Sequence, residues 1–113
     1  MSSRRPTLVH PATNQIELTR VLHALSDPTR LTIVNTLVAS GEKSCGTFPV
    51  SVSPSTLSHH FRVLREAGVI HQREDGSRRY TSLRRTDLDQ RYPGLIQLVL
   101  SGAAREQLVP PPG

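Results

Sequence analysis

The most constraining feature of this chain is a helix marked at both ends, with a hairpin directly behind it. Ser53 makes a good N-cap, because its hydroxyl can accept a bond from an unpaired first-turn amide. Pro54 suits the first helical position, where no amide is needed. The helix then runs over residues 55–67 and stops at Gly68. At about 100° per residue, Leu57, Phe61 and Leu64 share one side, and Ser55, His59, Arg62 and Glu66 lie roughly opposite. Thr56, Ser58 and Val63 flank that polar face, and His60 sits at the edge of the apolar stripe. Two short segments follow, residues 69–73 and 78–83, separated by Glu74-Asp75-Gly76-Ser77. Asp-Gly between short runs is a strong hairpin signal, since both residues tolerate positive φ.

Upstream the chain also reads as helical. Leu18, Val21, Leu22 and Leu25 recur at i, i+3, i+4 and i+7, one apolar stripe. Asp27 caps and Pro28 opens a second helix, with Leu31, Val34, Leu37 and Val38 as its buried face and Gly41 as its end. Residues 42–52 hold Gly46 and Pro49 and predict at best a short, irregular helix. A last stripe, Tyr92, Leu95, Ile96, Val99, Leu100 and Ala103, predicts a terminal helix opened by Pro93. It either covers the chain's own core or pairs with a second chain. Residues 1–15 carry no periodicity and read as a flexible arm. Residues 16–103 read as one domain, and 104–113 as a frayed, proline-rich tail.

Charge singles out the same region. Fourteen Lys and Arg against nine Asp and Glu leave +5. Residues 53–85 hold seven arginines and three acids, so that window carries +4 of it. A basic stripe on a small domain points to a polyanion, most often nucleic acid. Other classes are poorly supported. Ser58 beside His59 or His60 imitates a nucleophile and base, but helix neighbours one and two apart point in different directions. No orienting third group or oxyanion loop accompanies them, so no enzyme is expected. No apolar run is long enough to span a membrane, and no secretory signal leads the chain. The single Cys45 rules out an internal disulfide framework, and a reducing, cytoplasmic compartment is the expectation. Cys45 is a candidate thiol sensor, set against the plainer role of a small half-buried thiol. No metal site or other cofactor is expected, because one Cys with His10 or His23 makes a poor donor set.

Helix, helix, irregular turn, helix and basic hairpin form the order of a winged helix-turn-helix. The stretch Ala24-Leu25-Ser26-Asp27-Pro28-Thr29-Arg30-Leu31 resembles the second-helix signature of the ArsR-type (ArsR/SmtB) bacterial repressors. Residues 53–70 resemble their recognition helix and its exit, and Arg73-Glu74-Asp75-Gly76-Ser77-Arg78-Arg79-Tyr80 resembles their wing. The resemblance covers about residues 17–102. It implies a mainly α fold with a small β-hairpin, homodimeric through terminal helices, in which Leu18, Leu22, Leu95, Ile96, Val99 and Leu100 would form the interface. It also implies a repressor of a palindromic DNA operator, released by a signal such as a small-molecule inducer. Ser55, Ser58 and His59 match the family's polar recognition positions, Thr56 and Arg62 lie beside them, and Arg78 and Arg79 match basic wing-tip positions. Two departures stand out. Pro54 replaces a polar residue common in relatives, and residues 43–52 stand where relatives have a regular helix. A module that uses the same basic face on a protein or RNA partner is the competing reading.

Overall fold

The structure is a computed structural model, and it describes residues 8–111. Its elements run α1 (Leu18–Ala24), α2 (Pro28–Ser40), β1 (Lys43–Ser44), α3 (Pro54–Ala67), β2 (Ile70–Asp75), β3 (Arg78–Leu83), α4 (Arg85–Arg91) and α5 (Leu95–Arg105). The caps read from the sequence are made. The Asp27 carboxylate accepts the Arg30 amide at 3.1 Å, and the Ser53 hydroxyl accepts the Thr56 amide at 3.3 Å. Gly68 ends α3 at φ 85°, a conformation glycine takes without steric penalty. Val21, Ile33, Val34, Leu64, Val69, Ile70 and Leu88 are wholly buried and form the centre of one core. On α2, Ile33 takes the inward place expected of Val38, which stays 44% exposed.

The hairpin is the larger part of a three-stranded antiparallel sheet in the order β1-β3-β2. The third strand was not anticipated, because two residues carry no periodicity; Lys43 and Ser44 pair with Thr81 and Tyr80. The turn also sits one residue later than expected. Asp75 pairs with Arg78, so Gly76 and Ser77 make the turn, with Gly76 at φ 64°. Two opposite-charge cross-strand pairs, Glu74 with Arg79 and Asp75 with Arg78, extend the strands that far.

Other differences follow from isolated residues that leave no pattern. Residues 45–53 hold one 3₁₀ turn (Cys45–Thr47) and then extended chain, so no regular helix precedes α3. Pro49 prevents one, and Phe48 instead packs edge-on against Phe61 with centroids 5.3 Å apart. Helix α4 has one buried residue, Leu88, and so gave no stripe. Helix α5 starts after Gly94, at φ 82°, and not at Pro93. Residues 8–15, within the expected arm, pack on the fold: Thr13 donates to Asp87 at 2.9 Å and Pro11 accepts from Arg84 at 2.7 Å. After α5, Gln107 takes φ 61°, the Leu108 amide bonds the Ala103 carbonyl at 2.9 Å, and Val109 is buried.

Ile16 anchors that leading segment against Gly68. A Cβ there would stand 2.6 Å from the Ile16 Cγ1, closer than any relaxed approach. Gly68→Ala is therefore expected to cost about 1–3 kcal/mol, from the positive φ and the clash together. Gly46→Ala, facing open space, should stay within about 0.5 kcal/mol. Urea unfolding of the two variants checks this.

Candidate nucleic-acid interface

Helix α3 and the β2–β3 wing lie side by side. Ser58 and Arg79 line the same cleft of about 220 Å³, with Cys45, Pro54, Leu57 and Gln72. On α3, Ser55, Thr56, Ser58, His59 and Arg62 are all exposed, and so are Arg78 and Arg79 on the wing. The first two hydroxyls are partly spent near the cap: Ser53 lies 3.3 Å from Ser55 Oγ and donates to Thr56 Oγ1 at 2.9 Å. Ser58, His59 and Arg62 make no side-chain hydrogen bond to any described residue. They are the unspent polar groups of this face.

The arginines divide by occupation. The Arg73 guanidinium grips Glu42 with two bonds of 3.0 and 2.7 Å and lies over the Tyr80 ring. That grip holds the Glu42 carboxyl below its ordinary range. Arg84 is tied to Asp87 at 2.9 Å and to the Pro11 carbonyl, and bonds from Thr13 and Arg84 lower the Asp87 pKa. Arg85 pairs with Asp89 at 3.0 Å. Arg73, Arg84 and Arg85 are thus each engaged with an acid. Arg79 pairs with Glu74 at 3.1 Å across the wing. Arg62 and Arg78 form no ion pair with any described residue.

Two polar clusters fix where α3 sits. In the first, the buried Arg30 donates to the Ala24 carbonyl at 2.7 Å, the His23 carbonyl at 3.2 Å and the His60 Nδ1 at 3.1 Å. A guanidinium only donates, so Nδ1 must accept, and the His60 proton lies on Nε2. Burial, and then the Arg30 charge, push the His60 pKa down, with Asp27 opposing. The second cluster centres on Gln72, which is 2% exposed. Arg65 donates to its Oε1 at 2.7 Å, and its Nε2 donates to Thr81 at 3.1 Å and Cys45 Sγ at 3.4 Å. Sequence reasoning missed it, because one Gln in a basic run carries no pattern. Cys45 is half-buried there, 3.1 Å from the Thr81 hydroxyl. Among the described residues no group of three or more His, Cys, Asp or Glu is gathered for a metal.

The interface residues expected on the terminal helices separate into two sets. Leu18 and Leu22 are each 44% exposed, and Leu95, Val99 and Leu100 are partly exposed. Ile96 is 1% exposed, inside this chain's own core, and offers nothing to a partner. Leu98, passed over because it breaks the stripe, is 71% exposed.

The family described as "Bacterial regulatory protein, arsR family" matches residues 27–72, from the α2 cap to the Gln72 cluster. The chain is 40% identical over 81 residues to an uncharacterized HTH-type transcriptional regulator, YceK, of Bacillus subtilis (strain 168), covering 69% of this chain and 81% of that protein. The chain belongs to the ArsR family. The transcriptional repressor SdpR of the same organism is 30% identical over 87 residues, covering 75% of this chain and 96% of that protein. A crystal structure of another ArsR family transcriptional regulator shares the fold, with a TM-score of 0.61 at 20% identity over 72% of this chain and 90% of that one. This ArsR-family chain is a DNA-binding transcriptional regulator. The names of its relatives denote regulators, not an enzyme class. Among its described residues no helix is long and apolar enough to cross a membrane.

The two clusters are expected to make this ArsR-family fold acid-sensitive. His10 accepts the Gln72 amide at 2.9 Å through Nε2. Burial first, then the charges of His71, Arg65 and Arg84, lower its pKa to about 4. His10 and His60 are both neutral when folded and protonate more readily when unfolded. Their contribution is therefore full above the unfolded value near 6.5 and is lost as pH falls below it. The urea midpoint should drop between about pH 7 and about pH 5. His10→Gln, whose carbonyl oxygen can replace Nε2 as acceptor, should flatten that slope.

Proposed function

We propose that this regulator is a repressor that binds a palindromic DNA operator as a homodimer and is released by a signal. The observation that carries the reading is a set of outward polar groups on adjacent elements: Ser58, His59 and Arg62 on α3, with Arg78 and Arg79 exposed on the wing, Arg79 paired there with Glu74. Polar side chains on an exposed helix can hydrogen-bond base edges in a major groove. Wing arginines beside it fit phosphates or a minor groove. Ser55 and Thr56 complete the helix's outward face. Pro54, exposed at the first helical position, offers no side-chain hydrogen bond, so base readout rests on the residues that follow.

Leu18, Leu22, Leu95, Val99 and Leu100, joined by Leu98, are the apolar groups available to a second copy. A two-fold dimer requires an inverted-repeat site with half-sites about one helical turn apart. Cys45, bonded to Thr81 and Gln72 behind α3, is the thiol best placed to carry a signal. A small molecule bound by the dimer is the other route. A protein of this kind acts in the cytoplasm.

Selection from a random duplex library at about 150 mM salt, which suppresses charge-only binding, tests the proposal. An enriched inverted repeat is expected. Binding without enrichment that vanishes as salt rises would transfer the basic face to an RNA or protein partner. On the selected site, His59→Ala and Ser58→Ala should each cost about 1–3 kcal/mol and relax the sequence preference. Arg78→Ala should weaken selected and random duplexes alike and lower the salt slope by about one for each phosphate it no longer neutralises. Fluorescence anisotropy on the two duplexes reads both effects.

A further inference from the structure

A cleft of about 710 Å³ lies against the outer face of α2 and shares no lining residue with the cleft beside α3. Val38 and Ala39 form its α2 wall, Pro49 a second, and Pro110 with Pro111 a third. Val38 is the residue that periodicity places inside and the core leaves 44% exposed. The third wall is held from behind. Val109 is buried, and the Leu108 amide bonds the Ala103 carbonyl at 2.9 Å, which ties the tail to α5. Pro49 is held through its neighbour Phe48, which packs on Phe61 of α3.

The chemistry of the walls selects an occupant. None of the lining residues is charged, although 20% of the chain is. An ionised ligand would give up water there and gain no opposite charge. Thr32, Thr36 and Ser40 also line the cleft, but their hydroxyls donate to the carbonyls of Pro28, Thr32 and Thr36 at 3.1, 2.8 and 2.9 Å. Each hydroxyl has one hydrogen, so none is left for a ligand. Asn35 differs. It lines the same cleft half-buried, and its amide bonds no described side chain or backbone group. That amide can both donate and accept. The three prolines offer apolar ring surface of the kind that packs against aromatic rings. The volume falls in the range of about 300–1,000 Å³ typical of ligand sites, which combine mostly apolar walls with a few polar groups.

We propose that this cleft binds an uncharged small molecule built on aromatic rings, with the Asn35 amide as its polar contact. Its place in the fold gives such a molecule a route to DNA binding, and this part rests on the repressor reading above. The occupant touches Pro49, whose neighbour packs on α3, and the tail that continues α5. A molecule that favours one spacing of those walls shifts the set of α3 by its difference in affinity between the two arrangements. The cleft lies within one protomer, so binding there needs no second copy.

The probe is N-phenyl-naphthylamine, an uncharged dye whose emission rises in apolar surroundings. Its relative anilinonaphthalene sulfonate has the same rings and a negative charge. Titrated with the full chain, the uncharged dye should saturate a single site per chain. Its affinity should stay flat between about 50 and about 200 mM salt, whereas the sulfonate, drawn to the basic surface, should weaken. Ala39→Trp fills the cleft, and the Pro110→Gly, Pro111→Gly double variant removes a wall. Each should weaken the uncharged dye by about tenfold or more and leave the sulfonate unchanged. The double variant leaves α2 untouched, so its result is decisive even if Ala39→Trp disturbs that helix. An uncharged dye that fails to saturate, or that binds both variants as it binds wild type, overturns the proposal. On the selected inverted repeat, saturating dye should lower duplex affinity by about fivefold or more, and the double variant should not respond. If the dye occupies the cleft and duplex affinity is unchanged, the site stands and its link to release falls. If no duplex is selected, the repressor reading fails, while the dye titrations still decide the cleft.

Discussion

A single guanidinium sits where three helices meet. Arg30 begins on α2, takes two carbonyls from the C-terminal end of α1, and gives a further donor to His60 on α3. Carbonyls at a helix C-terminus lack intrahelical donors and carry the negative end of the dipole, so a buried cation there is compensated. The arrangement explains the order Asp27-Pro28-Thr29-Arg30 in physical terms. Asp27 and Pro28 start α2, and three residues after the cap the helix returns its side chain toward the end of α1. That junction, together with the Gln72 cluster and the packing of Phe61 and Leu64, sets the angle of α3 and so the common direction of its outward groups.

The arginine-rich window divides its labour along the same lines. Counted as charge, seven arginines form one basic stripe. In three dimensions, Arg65 reaches inward to Gln72, Arg73 braces the sheet against Glu42, and Arg84 holds the leading segment and α4. Those that remain turned outward lie on α3 and at the hairpin. Composition could not separate the two kinds, since each depends on partners distant in sequence: Glu42 is thirty-one residues from Arg73, and Pro11 seventy-three from Arg84.

What was legible in the sequence was whatever depends on local chemistry. Ser53-Pro54 and Asp27-Pro28 mark their helices because capping is decided within three residues, and Gly68 and Gly76 mark bends that need positive φ. The polar face of α3 followed from angular spacing alone. Illegible features were those held by lone residues. Helix α4 rests on Leu88, the extra strand on two residues, and the packed leading segment on Ile16 filling the space a side chain at Gly68 would need. Ile96 shows the limit of a stripe: periodicity says which residues share a face, not whether that face meets its own core or another molecule.

The sheet is small, and how it ends matters for the life of the chain in a crowded solution. An open strand edge is a template onto which other chains can add. On one side the sheet closes with β1, only two residues long, too short to seed a partner strand. On the other, the His10 ring occupies the outward amide of Gln72, and Arg73, Glu74 and Asp75 crowd the rest of β2 with charge. The segment that lies along the wing is thus also a guard. A chain cut between His10 and Ile16 would present an unprotected edge and would be more prone to assemble into β-rich aggregates.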